Sequence, residues 1–137
     1  GPERLELEGA GSYAEYLDTY ARIDIALDPF PYTGGTTTAE SLWMGVPVVT
    51  LKGDRFIAHQ GESLLHAAGL SEMIAADKEA YVQLALNFAA DRPALAAMRA
   101  GLRARVAASA LFDAPRYARA LETAWHGMWA EWCARQR

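Results

Sequence analysis

The chain has 137 residues, 52% of them hydrophobic, which suits one globular domain with its own core. A formal net charge of -4 argues against nucleic acid or an anionic membrane as a general partner, although local donors can still meet a small anionic ligand. The single Cys133 excludes an internal disulfide, and no apolar run reaches membrane-spanning length, so a cytoplasmic location is expected. The sequence opens at Gly1 without an initiator methionine and is expected to be a piece of a longer protein.

In chain order, Arg4-Leu-Glu-Leu-Glu8 alternates apolar and charged residues and is expected to be a short strand. Gly9 to Ser12 is a turn; Ser12 caps a helix through Tyr13–Tyr20, and Glu15 completes a capping box. Ile23–Leu27 is a short apolar run ending at Asp28 and reads as a buried strand. Pro29, Pro31, Gly34 and Gly35 then break the chain, the glycines permitting positive φ. Any of Thr36, Thr37 and Thr38 can cap a helix running through Ala39–Met44, which Gly45 ends. Val46–Leu51 is a second apolar, β-branched strand. A polar loop over 52–60, a short helix over Gly61–Ala68 stopped by Gly69, and a small edge strand at Glu72–Ala75 complete the α/β part.

From Asp77 the period becomes helical. One helix carries Tyr81, Leu84, Ala85 and Phe88 on a face, and a second, with Pro93 in its first turn, carries Leu95, Met98, Leu102 and Val106. Arg99, Arg103 and Arg105 form its wet side. The last helix, Arg116–Ala134, bears Tyr117, Leu121, Trp125, Met128, Trp129 and Trp132. Core packing is the default explanation of such a stripe, yet it exceeds what one face of a small sheet covers, so exposed tryptophans and self-association of the isolated chain are expected.

Alternating strands and helices specify a Rossmann-like open parallel sheet, with an α/β core over 1–76 and a helical part over 77–137. The loops after Glu8 and Asp28 then share one edge of the sheet. A helix starting beyond a parallel strand's carboxyl end aims free N–H groups into the crevice where such folds bind ligands, which points to an anion site at Gly35, Thr36, Thr37 and Thr38. A capped tight turn explains the same residues without a ligand. The loop has neither GxGxxG nor a lysine after the glycines, so a phosphate here would be held by backbone amides and threonine hydroxyls. Glu40, one turn further, can accept hydrogen bonds from a ribose diol. His59, His66, His126 and Cys133 lack metal-ligand spacing, so no metal is expected. His59 and Arg55 face either the diphosphate or solvent, and Asp28 can fasten the loop through its carboxylate.

Gly35-Thr-Thr-Thr-Ala-Glu-Ser-Leu-Trp-Met-Gly-Val-Pro-Val-Val-Thr50 resembles the donor-site signature of the O-GlcNAc transferase family and its SPINDLY-type protein O-fucosyltransferase relatives. Gly53, Ser63-Leu-Leu65, Gly69-Leu70, Glu79-Ala-Tyr81 and Met128-Trp129 extend the likeness over nearly the whole chain. The resemblance implies the distal part of the C-terminal, donor-binding domain of a metal-free GT-B glycosyltransferase that transfers a sugar to protein Ser or Thr, looking like a bacterial member. It implies diphosphate contacts at Thr36 and Thr37, ribose contact at Glu40, and base contacts at Gly11, Tyr13 and Tyr16. The family's base and phosphate lysine fall upstream of Gly1, so no catalytic residue is expected in this chain and the fragment alone should transfer no sugar. Gly35 departs from the O-GlcNAc transferases, which carry histidine there, and Glu40 stands for their aspartate. UDP-GlcNAc, UDP-glucose and GDP-fucose all stay open as donors. A reading from another class, a non-catalytic Rossmann-like module that binds a nucleotide or a protein partner, also stays open.

Overall fold

The computed structural model describes residues 1–136. In order it contains α1 (Tyr13–Thr19), β1 (Ala26–Leu27), α2 (Thr36–Trp43), β2 (Val48–Leu51), α3 (Gln60–Ala67), β3 (Ile74–Ala75), α4 (Lys78–Ala90), α5 (Arg92–Ala107) and α6 (Ala114–Arg135), with a 3-10 turn at Phe56–His59 leading into α3. The strands lie in the order β1-β2-β3 and pair in parallel, Ala26 with Val48 and Thr50 with Ile74. This is the expected open parallel sheet, trimmed to short strands. Among the described residues no helix is long and apolar enough to cross a membrane.

Successive residues of β2 point to opposite faces, and both faces are covered. Val48 packs with Leu42, Leu65, Leu70, Met73, Leu102 and Val106, while Val49 packs with Ala75 and Tyr81. The core therefore joins the sheet to α2, α3 and α5 on one side and to α4 on the other. Double coverage also explains the strand that failed to appear. Residues 4–8 form no strand: a 3-10 turn spans Pro2–Arg4, and Leu5 and Leu7 are exposed. Alternating apolar and charged residues suit a sheet with one wet face, whereas this sheet selects continuous apolar runs such as Val48–Leu51. Glu6 and Glu8 instead pair with Arg22.

Helix ends follow the expected chemistry with one exception. Ser12 and Glu15 form the capping box of α1, and Asp77 accepts from Ala80 N–H at the start of α4. Gly45 and Gly69 adopt φ of +78° and +70° and terminate α2 and α3. Gly34 and Gly35 do not use positive φ; Gly35, at φ -114°, is itself the N-cap of α2. No threonine caps that helix, because the three threonines occupy its first turn.

None of the residues of α6 is buried. Trp125, Trp129 and Trp132 are 58%, 63% and 54% exposed, so the stripe is not core of this chain, and the Trp129 and Trp132 rings stack on each other at 5.2 Å.

Candidate functional site

The loop between β1 and α2 is held from below by Asp28. Its carboxylate accepts from Gly34 N–H and from the Thr50 hydroxyl, both at 2.6 Å, and its carbonyl accepts from the Tyr81 hydroxyl at 2.9 Å. Asp28 is 4% exposed; burial pushes its carboxyl above the ordinary value while the two hydrogen bonds pull the other way. The carboxylate is therefore a fastener, the structural role open to it in the sequence. Thr33 adds a second tie, donating to the Ile57 carbonyl and accepting from Gly61 N–H, which binds the loop to the start of α3. Gly34 is required by close approach: a Cβ there would lie 2.5 Å from Thr38 Oγ1 and 2.8 Å from Thr37 Oγ1.

Beyond this loop α2 begins without a side-chain cap, its first intrahelical bond running from Ala39 N–H to the Gly35 carbonyl. The amides of the preceding turn lack intrahelical partners and carry the positive end of the helix dipole. Thr36 and Thr37 are exposed, whereas Thr38 is buried with its hydroxyl near Gly34. The four residues named for a diphosphate thus divide: Gly35, Thr36 and Thr37 line an open cleft of about 460 Å³ with Tyr32, Thr33 and Gln60, and Thr38 packs beneath it. Uncapped amides with two flanking hydroxyls can hold an anion there without a metal.

The other named residues gather on the α1 side of α2. The Tyr13 and Tyr16 hydroxyls reach the two oxygens of Glu40, at 3.1 and 2.9 Å. Tyr16, which donates to Glu40, accepts from the Tyr20 hydroxyl at 2.6 Å, and the Tyr20 oxygen also lies 3.3 Å from the Thr37 carbonyl. The bond to Glu40 raises the Tyr13 phenol, while burial, then the Tyr20 and Glu40 bonds, push Tyr16 far above its ordinary range. Both phenols stay protonated and donate, leaving Glu40 with lone pairs for further donors such as a diol. Gly11, Tyr13 and Tyr16 line one cleft of about 910 Å³. Two tyrosines on a carboxylate suggest a test: Tyr16→Phe should lower the unfolding free energy of the chain by about 1 kcal/mol, the scale of one hydrogen bond, read from the shift of the denaturant midpoint.

Arg55 is exposed and pairs with its neighbour Asp54. His59 instead turns its Nδ1 to Glu62 at 2.7 Å and lines a second cleft, of about 550 Å³, against Gly35 and Thr36. Sequence reasoning missed Tyr20, Phe56, Gln60 and Ser63 as parts of this surface. Tyr20 had a signal in the 13, 16, 20 spacing of tyrosines along one helical face. The others lie in a loop and helix that only tertiary packing brings opposite α2.

Comparison with known proteins covers most of the chain. The profile of the family described as "Glycosyl transferase family 41" matches residues 10–121. A protein of Oryza sativa subsp. japonica described as "Probable UDP-N-acetylglucosamine--peptide N-acetylglucosaminyltransferase SPINDLY" is 44% identical over 119 residues, 87% of this chain and 13% of its own length. A Caenorhabditis elegans protein described as "UDP-N-acetylglucosamine--peptide N-acetylglucosaminyltransferase" is 30% identical over 93% of this chain and 11% of its own length. Among solved structures, a mutant of the Thermobaculum terrenum O-GlcNAc transferase superposes with a TM-score of 0.91 at 40% identity, over 98% of this chain and 26% of that one. The chain spans a small part of the length of each relative it matches.

Proposed function

The chain belongs to glycosyl transferase family 41, and from that premise we propose that it is the donor-binding part of a GT-B enzyme moving a sugar from a nucleoside diphosphate to a protein Ser or Thr. The observation that carries this reading is the uncapped start of α2, with Thr36 and Thr37 exposed on an open cleft beyond β1. In the transfer, the bond between sugar C1 and the β-phosphate oxygen breaks and its electron pair stays on the diphosphate. The acceptor hydroxyl oxygen forms the new bond to C1, and its proton goes to a base that the resemblance places outside this chain. Donors fixed in advance at the departing phosphate lower the cost of that developing charge. On this reading the α2 amides and the two threonine hydroxyls are those donors, and no metal is needed. Glu40 takes the ribose, and Gly11, Tyr13 and Tyr16 flank the base. UDP-GlcNAc is favoured as donor by the descriptions of the relatives, and GDP-fucose by the Thr-Thr-Thr-Ala-Glu-Ser-Leu run, with UDP-glucose third.

The ribose assignment is tested with Glu40→Gln. The variant should weaken nucleotides and nucleotide sugars alike, while a 2′,3′-dideoxy nucleotide should bind variant and parent equally. A loss that persists in full with the dideoxy ligand shows that Glu40 serves only to hold Tyr13 and Tyr16.

The isolated chain should transfer no sugar, and its exposed α6 stripe should make it self-associate. Sedimentation over a rising concentration series is expected to show growth in mass that Trp125→Glu with Trp129→Glu removes. A strictly monomeric parent at all concentrations contradicts this.

A further inference from the structure

We propose that Tyr20 is a positioning residue that favours ribose binding without touching the ligand: its hydroxyl gives the Tyr16 proton a second acceptor, which releases Glu40 to a ribose diol. This rests on the ribose reading of Glu40 and deepens it. Tyr20 lies behind the site, 8% exposed, its ring edge-on to that of Tyr16 with 5.5 Å between centroids. Arg99 of α5 holds it from the far side, reaching its backbone carbonyl at 3.4 Å while pairing with Asp24 at 2.6 Å. The Tyr20 hydroxyl is thereby fixed between α1 and the first turn of α2.

Three phenols share this corner, and each O–H has one proton to donate. Tyr13 lies 3.1 Å from Glu40 Oε1, and Tyr16 lies 2.9 Å from Oε2. Between Tyr16 and Tyr20, 2.6 Å apart, either oxygen can donate, and the Tyr20 oxygen is 3.3 Å from the Thr37 carbonyl. The same heavy atoms therefore admit two arrangements of hydrogens. In one, Tyr20 donates to Tyr16 and Tyr16 to Glu40. In the other, Tyr16 donates to Tyr20, and Tyr20 to the Thr37 carbonyl, an acceptor with two lone pairs. Each arrangement makes two bonds, and passage between them only turns hydroxyls about their C–O bonds. Without a ligand the first is preferred, because a bond to a carboxylate is charge-assisted. With a ribose hydroxyl on Oε2, two hydrogens crowd one oxygen, and their mutual repulsion weakens both bonds. Turning Tyr16 toward Tyr20 removes that conflict and leaves neither phenol unpaired. Glu40 then meets the diol with Oε2 to spare, while Tyr13 keeps Oε1.

Calorimetric titration of UDP and GDP, each beside its 2′,3′-dideoxy form, tests this in the parent chain, in Tyr20→Phe and in a double variant that adds Tyr16→Phe. Phenylalanine keeps both rings in place, and the readout is the ratio of dideoxy to ribonucleotide dissociation constants. In Tyr20→Phe, Tyr16 can donate only to Glu40, and the ratio is expected to fall roughly three- to fivefold, part of one hydrogen bond. In the double variant the competing Tyr16 hydroxyl is gone as well, and the ratio is expected to return to the parent's value. An unchanged ratio in Tyr20→Phe, equal weakening of both ligands included, reduces Tyr20 to packing and overturns the proposal. A ratio that falls and stays low in the double variant also overturns it, since the phenols then orient Glu40 rather than yield it. A parent that binds ribo- and dideoxynucleotides equally fails the ribose reading itself, and this inference with it.

Discussion

Replacing Thr36 and Thr37 together by valine is expected to weaken UDP or GDP binding by about 2–3 kcal/mol, using roughly 1–1.5 kcal/mol for each hydrogen bond, the upper part of the range for a typical one, because both hydroxyls are exposed. That corresponds to a loss of roughly 30- to 150-fold. Valine keeps the branched shape, and both positions are exposed in the first turn, so the change removes hydroxyls without opening the core. The backbone amides remain, which is why some affinity should survive. Thr38→Val serves as the internal contrast: its side chain is buried beneath Gly34, so its cost should fall on stability rather than on the ligand. Calorimetry on all three decides the matter, and unchanged affinity in the double variant ends the diphosphate assignment.

Asp28→Ala is expected to destabilise the chain by about 2–4 kcal/mol, because it strands the Gly34 amide and the buried Thr50 hydroxyl together, at roughly 1–3 kcal/mol for each group left unpaired. Asp28→Asn keeps an acceptor for one of them and should cost less. The same residue sets a pH dependence. Its carboxyl is raised by burial, so the folded chain holds the proton more tightly than the unfolded chain does. The part of the stability that comes from this tighter proton binding is full below the unfolded value, about 3.9, and is lost as pH rises through the higher folded value. The stability difference between parent and Asp28→Asn should therefore shift against the parent as pH rises across that window, and a flat difference would contradict the assignment. Gly61→Ala should be costly for a related reason, since a Cβ there collides with both Asp28 Oδ2 and Thr50 Oγ1.

Much of this architecture was legible in the sequence where local chemistry and tertiary context agree. Ser12 with Glu15, Asp77, Pro93, Gly45 and Gly69 all mark helix ends by their own geometry, and Val46–Leu51 reads as a buried parallel strand because it lacks alternation. The strand expected at Arg4–Glu8 failed for the complementary reason: its alternation has no half-wet sheet to join. At the site, the position of the α2 start was readable, but its cap was not. Threonines favour caps, yet Asp28, Thr33 and Gly34 fix the loop so that Gly35 takes the N-cap and the threonines fall inside the helix. The tyrosine contacts on Glu40 and the Phe56–His59 wall link residues far apart in sequence, and no local pattern carries them.

The exposed α6 stripe shows the same division. Its periodicity is that of any amphipathic helix, so sequence indicates which residues share the face. Which surface, if any, covers them depends on the area the rest of the chain offers, and here α4 and α5 already occupy the sheet.

Amide resonances of the chain followed during addition of UDP or GDP test the donor site most directly. Saturable shifts are expected to concentrate at Gly35, Thr36 and Thr37, with smaller ones at Tyr13 and Tyr16, and to be lost in the Thr36, Thr37 double valine variant. Saturable shifts centred elsewhere, or none at millimolar nucleotide, would contradict it.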